Sequence, residues 1–370
     1  MILSRQRKNN HCMLSDHISE YSESSFHNKW RNLAALFVVF GIVIVGTVWR
    51  NQIFFRADGI AAPLKNFSVR ALENVSAEEG GDVAVERPIS VAPSLPAFKG
   101  AWLSPDTLSA RSLLVKDHAT GFVLYQKNEY EPWPIASMTK LMSALVLLEH
   151  SLDWSAPLSV VSDELIDTHM YAGDTYARDE LWQAALIGSS NKAITTLADS
   201  TEWTREAFIE RMNQKALELG MADTMFVDVT GLSAGNVSTA SDVALLLREA
   251  LSQKKIYDAL TIREVTLYSK ERNVRHHIWN TNWLLLGWIE NNFAEIAGGK
   301  TGYIPAALYN LTVQVSDDNH HAVDVVVLGA HSHEARFTEA RDAAEWAFQN
   351  YEWPGEADVL SDAPIQETRQ

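Results

Sequence analysis

Pro134-Ile135-Ala136-Ser137-Met138-Thr139-Lys140 is the stretch around which the rest of the chain is organised. Met138, Leu141, Met142, Leu145 and Leu148 recur at helical spacing. This predicts a helix to about His150, with Ser137 and Lys140 in its first turn on the flank of a buried stripe. The hydroxyl and the amine then share a face. An ammonium in a partly dry site beside other positive groups gives up its proton more readily, and a neutral lysine can deprotonate a serine and make it a nucleophile. The stretch therefore reads as the centre of a Ser-Lys hydrolase or transferase. The spacing alone is common: Ser189 to Lys192 and Ser252 to Lys255 repeat it, and a helix-capping serine one turn before a surface lysine looks the same. What selects Ser137 is its company further along.

Outward from that stretch, Arg111 to Lys116 and Phe122 to Lys127 are strand-like runs joined by Asp117-His118-Ala119-Thr120-Gly121, a β-hairpin. A helical pattern from Asp179 stops at Gly188, and Ser189-Ser190-Asn191 falls at the junction with a further helix, Lys192 to Asp199. Thr204 to Gly220 reads as an amphipathic helix, and Ser241-Asp242 caps another running to about Leu251. Near the end, Leu308 to Val315 and Ala322 to Leu328 are strands, and Glu334 to Tyr351 is a long helix. Strands at both ends with helices between imply an α/β (α+β) fold: an antiparallel sheet flanked by helices, with a helical insertion subdomain.

Gly299-Lys300-Thr301-Gly302-Tyr303 is the third landmark. Gly299-Lys300-Thr301 matches the end of a phosphate-binding loop, but Ala294 stands where that motif begins with glycine, and a strand rather than a helix follows.

In order, Ser137-x-x-Lys140, Ser189-x-Asn191 and Lys300-Thr301-Gly302 resemble the three motifs of penicillin-binding proteins and serine β-lactamases. With Thr230-Gly231-Leu232 and Asn280-Thr281-Asn282, they look specifically like the serine D-alanyl-D-alanine carboxypeptidase family of low-molecular-mass penicillin-binding proteins, over about residues 108 to 350. The resemblance implies a β-lactamase/transpeptidase-like fold, Ser137 as acylated nucleophile, Lys140 as its general base and Ser189 as proton relay to the leaving amine. It implies Asn191 as holder of the substrate backbone, Lys300 as the positive charge that keeps Lys140 deprotonated, Thr301 on the substrate carboxylate, and Gly302 and Tyr303 on the substrate-binding strand. The oxyanion hole would be the backbone N–H groups of Ser137 and Tyr303. Peptidoglycan stem peptides are the expected substrate, β-lactams the inhibitors, with no cofactor and no metal. D,D-carboxypeptidase is the first reading and D,D-endopeptidase the alternative. A β-lactamase stands behind both, since no E-x-x-L-N segment is present, and so does a catalytically silent penicillin-binding anchor, since the motifs are intact. Two departures bear on substrate choice: Lys192 replaces a usual acidic residue, and Leu308 replaces a common glycine, which would narrow the cleft wall. A separate C-terminal β-domain, present in many relatives, is expected to be missing.

Upstream, residues 1–32 read as a cytoplasmic tail and Leu33 to Trp49 as an uncharged, apolar run just long enough to span a bilayer. Lysines and arginines before it outweigh those after it, which puts the rest of the protein outside. The preceding segment is long for a signal peptide, and the nearest small-residue site lies well past the run. The expected location is therefore a bacterial cell membrane, single-pass, with the catalytic domain extracytoplasmic. Residues 50–106 have linker composition and would span about 40 Å; 107–352 form the catalytic domain and 353–370 an acidic, disordered tail. The sole cysteine, Cys12, gives the exported part no disulfide. A net charge of −16 without a basic stripe argues against nucleic acid. His331-Ser332-His333-Glu334 has Phe337 where a metal-binding H-E-x-x-H needs histidine. His276-His277 and His320-His321 are expected in loops, and the tryptophans at 279, 283 and 288 in core or cleft wall.

Overall fold

The structure, a computed structural model, describes residues 94–161, 165–167 and 169–354. The chain divides into two compact units, Met1–Arg87 and Pro88–Gln370, and every described residue belongs to the second. The expected cytoplasmic tail (1–32), the anchor (33–49), the linker up to residue 93 and all but the first two residues of the expected tail at 353–370 lie outside these residues. No helix among them is long and apolar enough to cross a membrane.

In chain order the principal elements are β1 (Ser112–Asp117), β2 (Val123–Lys127), a 3₁₀ turn (Ala136–Met138), α1 (Thr139–Leu147), α2 (Arg178–Leu186), α3 (Asn191–Asp199), α4 (Arg205–Glu218), α5 (Ala240–Ser252) and α6 (Lys254–Thr261). There follow β3 (Glu264–Ser269), β4 (Val274–Trp279), the short α7 (Trp283–Leu286), β5 (Glu295–Ile304), β6 (Leu308–Ser316), β7 (Ala322–Ala330) and α8 (Ala335–Asn350). Five strands form an antiparallel sheet in the order β5-β6-β7-β1-β2, so the first hairpin and the last three strands close on each other as the sequence implied. Alternation along the strands divides the core. Leu113, Val115, Val313, Val325 and Val327 face α8, whereas Leu114, Val326 and Leu328 face the helical insertion. Alanines at 340, 343, 344 and 347 on the buried side of α8 let it lie close to the sheet.

Several boundaries differ from the sequence reading. Helix α1 is buried on every side rather than along a stripe, so Lys140 sits inside the molecule and not on a flank. The cap of α5 is Thr239, whose hydroxyl accepts from the Asp242 N–H, in place of Ser241. His276 and His277 lie on β4, in a β3–β4 hairpin that the sequence reading left out. Ordered pairing begins before residue 107: Ala97–Phe98 pairs with Tyr351–Glu352, and Trp353 is buried with its indole N–H on Asp117 at 2.9 Å.

Candidate active site

Ser137 stands in a tight 3₁₀ turn that two glycines pin from opposite sides. A Cβ on Gly231 would come 1.9 Å from the Ala136 carbonyl oxygen, and one on Gly302 would come 2.6 Å from that of Ile135. Only a residue without a side chain lets the 231 loop and the edge strand β5 approach so closely. Ala136 itself takes φ +48° and Ser189 φ +61°, left-handed conformations that stress a residue bearing a Cβ by about 1 kcal/mol or more each. Such strain persists only where surrounding bonds enforce it; Ala136 adjoins the candidate nucleophile and Ser189 is the candidate relay.

Lys140 Nζ lies 2.9 Å from Ser137 Oγ. It also donates to Asn191 Oδ1 and to the Thr230 carbonyl, both at 2.7 Å. A neutral amine has two hydrogens and one lone pair, so those two acceptors leave the lone pair for Ser137. Asp228 holds the Thr230 carbonyl in place by accepting from the N–H groups of Thr230, Gly231 and Ser233 and from the Thr230 hydroxyl. Asp167 does the same for the Ser189–Asn191 turn, accepting from Ser190 Oγ at 2.5 Å and from Lys192 N at 2.8 Å. Asn191 is committed at both ends, since its Nδ2 donates to Ile166 O. It positions Lys140, and its second Nδ2 hydrogen and second Oδ1 lone pair are free for a substrate backbone. Opposite, Lys300 Nζ donates to Ser189 Oγ at 2.8 Å.

Both lysines are fully buried. Burial is the main cause that brings Lys140 down to about 7, opposed by the nearby carboxylates of Asp228 and Asp167. Lys300 is pushed well below its usual value, first by burial and then by the charges of Lys140 and Arg336. The sequence reading gave Lys300 as the reason Lys140 is neutral; the structure gives burial as the cause that lowers it. The neighbouring charges also differ in sign: carboxylates favour a proton on Lys140, cations disfavour one on Lys300.

Ser137, Ser189, Thr301, Gly302 and Tyr303 line a cavity of about 550 Å³. Thr301 Oγ1 donates to Thr281 Oγ1 at 2.7 Å in its wall. Along one side six rings follow one another, with centroids 5.7 Å apart from Trp279 to Trp288, 5.5 Å to Trp283, 4.2 Å to His333, 5.9 Å to Tyr309 and 4.5 Å to Tyr303. The tryptophans are cleft wall. Arg336 on α8 also lines the cavity; it is 4% exposed, its Nε lacks a hydrogen-bond partner, and no carboxylate among the described residues pairs with it. Burial lowers it to about 10.

The three motifs thus converge, while other candidates disperse. Lys300 sits mid-strand on β5, which rules out a phosphate loop. His331 lines a different cavity from His333. Leu308 also lines that second cavity and not the cleft, at the β5–β6 hairpin with φ +54°, so the expected narrowing of the cleft wall is not found. The sequence reading missed Arg336, Asp228 and Asp167. Asp228 carried a local signal, a carboxylate two residues before Thr230-Gly231, as in an Asx turn.

The sequence profile described as D-alanyl-D-alanine carboxypeptidase matches residues 100–332. The chain is 33% identical over 262 residues to the D-alanyl-D-alanine endopeptidase of Pseudomonas aeruginosa, covering 70% of this chain and 83% of that protein. It is 31% identical over 260 residues to the D-alanyl-D-alanine carboxypeptidase DacF of Bacillus subtilis, covering 66% of this chain and 63% of that protein. Penicillin-binding protein D2 of Listeria monocytogenes, solved in its cefotaxime-bound form, superposes with a TM-score of 0.58 at 29% identity over 67% of this chain and 100% of that one. The DD-transpeptidase of Streptomyces K15 gives 0.59 at 25% identity over 67% and 100%. Two buried lysines on two serines, in a cleft of this fold and with these relatives, lead to one assignment: the chain belongs to the D-alanyl-D-alanine carboxypeptidase family and is a serine D,D-peptidase.

Proposed function

We propose that the protein hydrolyses the bond after D-alanine in peptidoglycan stem peptides through an acyl-enzyme on Ser137. The observation that carries this is the Lys140 amine, 2.9 Å from Ser137 Oγ and 2.7 Å from both Asn191 Oδ1 and the Thr230 carbonyl; in its neutral form the two acceptors take its hydrogens and its lone pair faces Ser137. Lys140 takes the Ser137 proton as Oγ bonds to the carbonyl carbon. The N–H groups of Ser137 and Tyr303 hold the oxyanion. The amide C–N bond breaks as the leaving amine receives a proton through Ser189, and water then hydrolyses the ester.

Arg336 supports a substrate with a carboxylate beside the leaving amine. A buried cation without a counter-ion is unfavourable, and a carboxylate bound between Thr301 and Arg336 supplies one. That charge also favours a proton on Lys300 over Lys140, so substrate binding would itself prepare the base. Terminal D-alanine meets the requirement, as does a cross-link whose diamino acid bears amine and carboxylate on one carbon. Relatives are named for both reactions.

The test is fluorescent penicillin labelling of wild type and Ser137→Ala, with release of D-alanine from a stem pentapeptide. Label on Ser137 that is lost in the variant, with D-alanine release, is expected; no label on either protein overturns the reading. We further propose that Leu33 to Trp49 anchors the domain at the outer face of the membrane, on the strength of its apolar length and flanking charges. Release of the full-length protein from membranes by alkaline carbonate would refute this.

A further inference from the structure

The acylation machinery leaves one part of the cleft without a role. Trp279 and Trp288 are 47% and 52% exposed, at the side of the cavity bounded by Thr281. Two large rings left half bare at the lip of a catalytic cavity mark a surface that binds something apolar. They are also held in place: Trp279 meets the His277 ring at 4.7 Å, and Trp288 packs on Trp283, itself stacked on Phe337. Rigid rings lose little freedom on binding.

Their position relative to the reacting bond follows from their neighbours. Trp279 ends β4 two residues before Thr281, the hydroxyl partner of Thr301. Trp288 connects through Trp283 to His333, close to Arg336 at the start of α8. Both indoles thus adjoin the groups assigned to the leaving residue's carboxylate, away from the groups that activate Ser137. A terminal D-alanine held there has one methyl to place and makes no use of them. A leaving strand must carry a longer side chain from the same fixed point out of the cavity.

We infer that Trp279 and Trp288 form the leaving-strand subsite for a D,D-cross-linked stem-peptide dimer, packing on the aliphatic side chain of its diamino acid. This rests on the D,D-peptidase reading above. In the reaction Ser137 Oγ bonds to the donor D-alanyl carbon and the cross-link C–N bond breaks. The diamino acid's amine takes up the proton and leaves past the indoles, and water releases the donor from Ser137.

The test measures kcat and KM of the full-length protein on a cross-linked dimer and on a stem pentapeptide, for wild type, Trp279→Ala, Trp288→Ala and the two phenylalanine variants. The expected result is a fall of about tenfold or more in the dimer-to-pentapeptide ratio of kcat/KM for each alanine variant, carried by KM and partly restored by phenylalanine. Using a ratio keeps the test valid if a variant folds less well. An unchanged ratio overturns the subsite, as does a wild-type protein that releases D-alanine but leaves the dimer intact. A wild type that is neither labelled by penicillin nor active on either peptide overturns the D,D-peptidase reading as well, so the two failures are distinct.

Discussion

Lys300 donates to the Ser189 hydroxyl at 2.8 Å although 111 residues separate them, and Ser189 meets it from a left-handed backbone. The bond ties the sheet's edge strand β5 to the helical insertion, and the cleft is the space it closes. Because Ser189 serves both backbone and chemistry, the two can be separated. Glycine accepts φ +61° without strain but leaves the buried Lys300 amine one acceptor short, so Ser189→Gly should unfold close to wild type while D-alanine release falls by about a hundredfold or more. Thermal denaturation beside a release assay checks both halves.

The low affinity of Lys140 for its proton sets a pH dependence. With Lys140 near 7 and needed neutral, penicillin acylation should fall about tenfold per unit below about pH 7. Asp228 raises the Lys140 value, so Asp228→Asn should move the acid limb to lower pH. A stopped-flow series from pH 5 to 9 measures this, and a rate constant flat across it would remove Lys140 as the base.

Stability carries the same signature with a definite sign. Between about 7 and 10.5 the unfolded chain holds a proton on Lys140 that the folded one lacks, so this lysine's contribution to stability grows as pH rises through that window. Chemical denaturation of wild type and Lys140→Met should show their difference moving in favour of wild type from pH 7 to pH 10.

Arg336 sets function against stability. Replacing a buried, unpaired cation by an apolar side chain is commonly neutral or stabilising. Arg336→Met should therefore melt no earlier than wild type, yet show a KM for the pentapeptide raised by about tenfold or more. Early melting together with an unchanged KM would make Arg336 a structural residue and not the carboxylate anchor.

A methyl group at 231 should do the reverse. Gly231→Ala meets the Ala136 carbonyl at 1.9 Å and a backbone of φ +85°, so a loss of about 2 kcal/mol or more is expected together with the loss of penicillin labelling.

How much of this was legible depended on how local the chemistry is. Ser137, Lys140, Ser189 and Lys300 could be read because each motif keeps its reacting groups within a few residues. The sheet could be read because β6 and β7 are apolar runs around a polar turn. The β3–β4 hairpin could not: its exposed positions carry Arg275, His277 and Trp279, so no apolar alternation marks it. Arg336 was hidden for the opposite reason. An arginine in the first turn of an amphipathic helix reads as solvated, and only the packing of α8 under β5 and β6 buries it. Leu308 misled because a positive φ at a hairpin asks for glycine whether or not a ligand lies nearby.

The ribbon that pairs Ala97–Phe98 with Tyr351–Glu352 brings the chain's entry into the fold beside its exit. A recombinant domain trimmed to 107–352 would therefore strip Tyr351 of its partner strand and remove Trp353 from Asp117, baring Phe98's aromatic neighbours to solvent. Excision at 94 and 354 keeps this clasp. With the ends side by side, a few added residues could join them and new termini could be opened in a surface loop, yielding a circular permutant that retains the cleft.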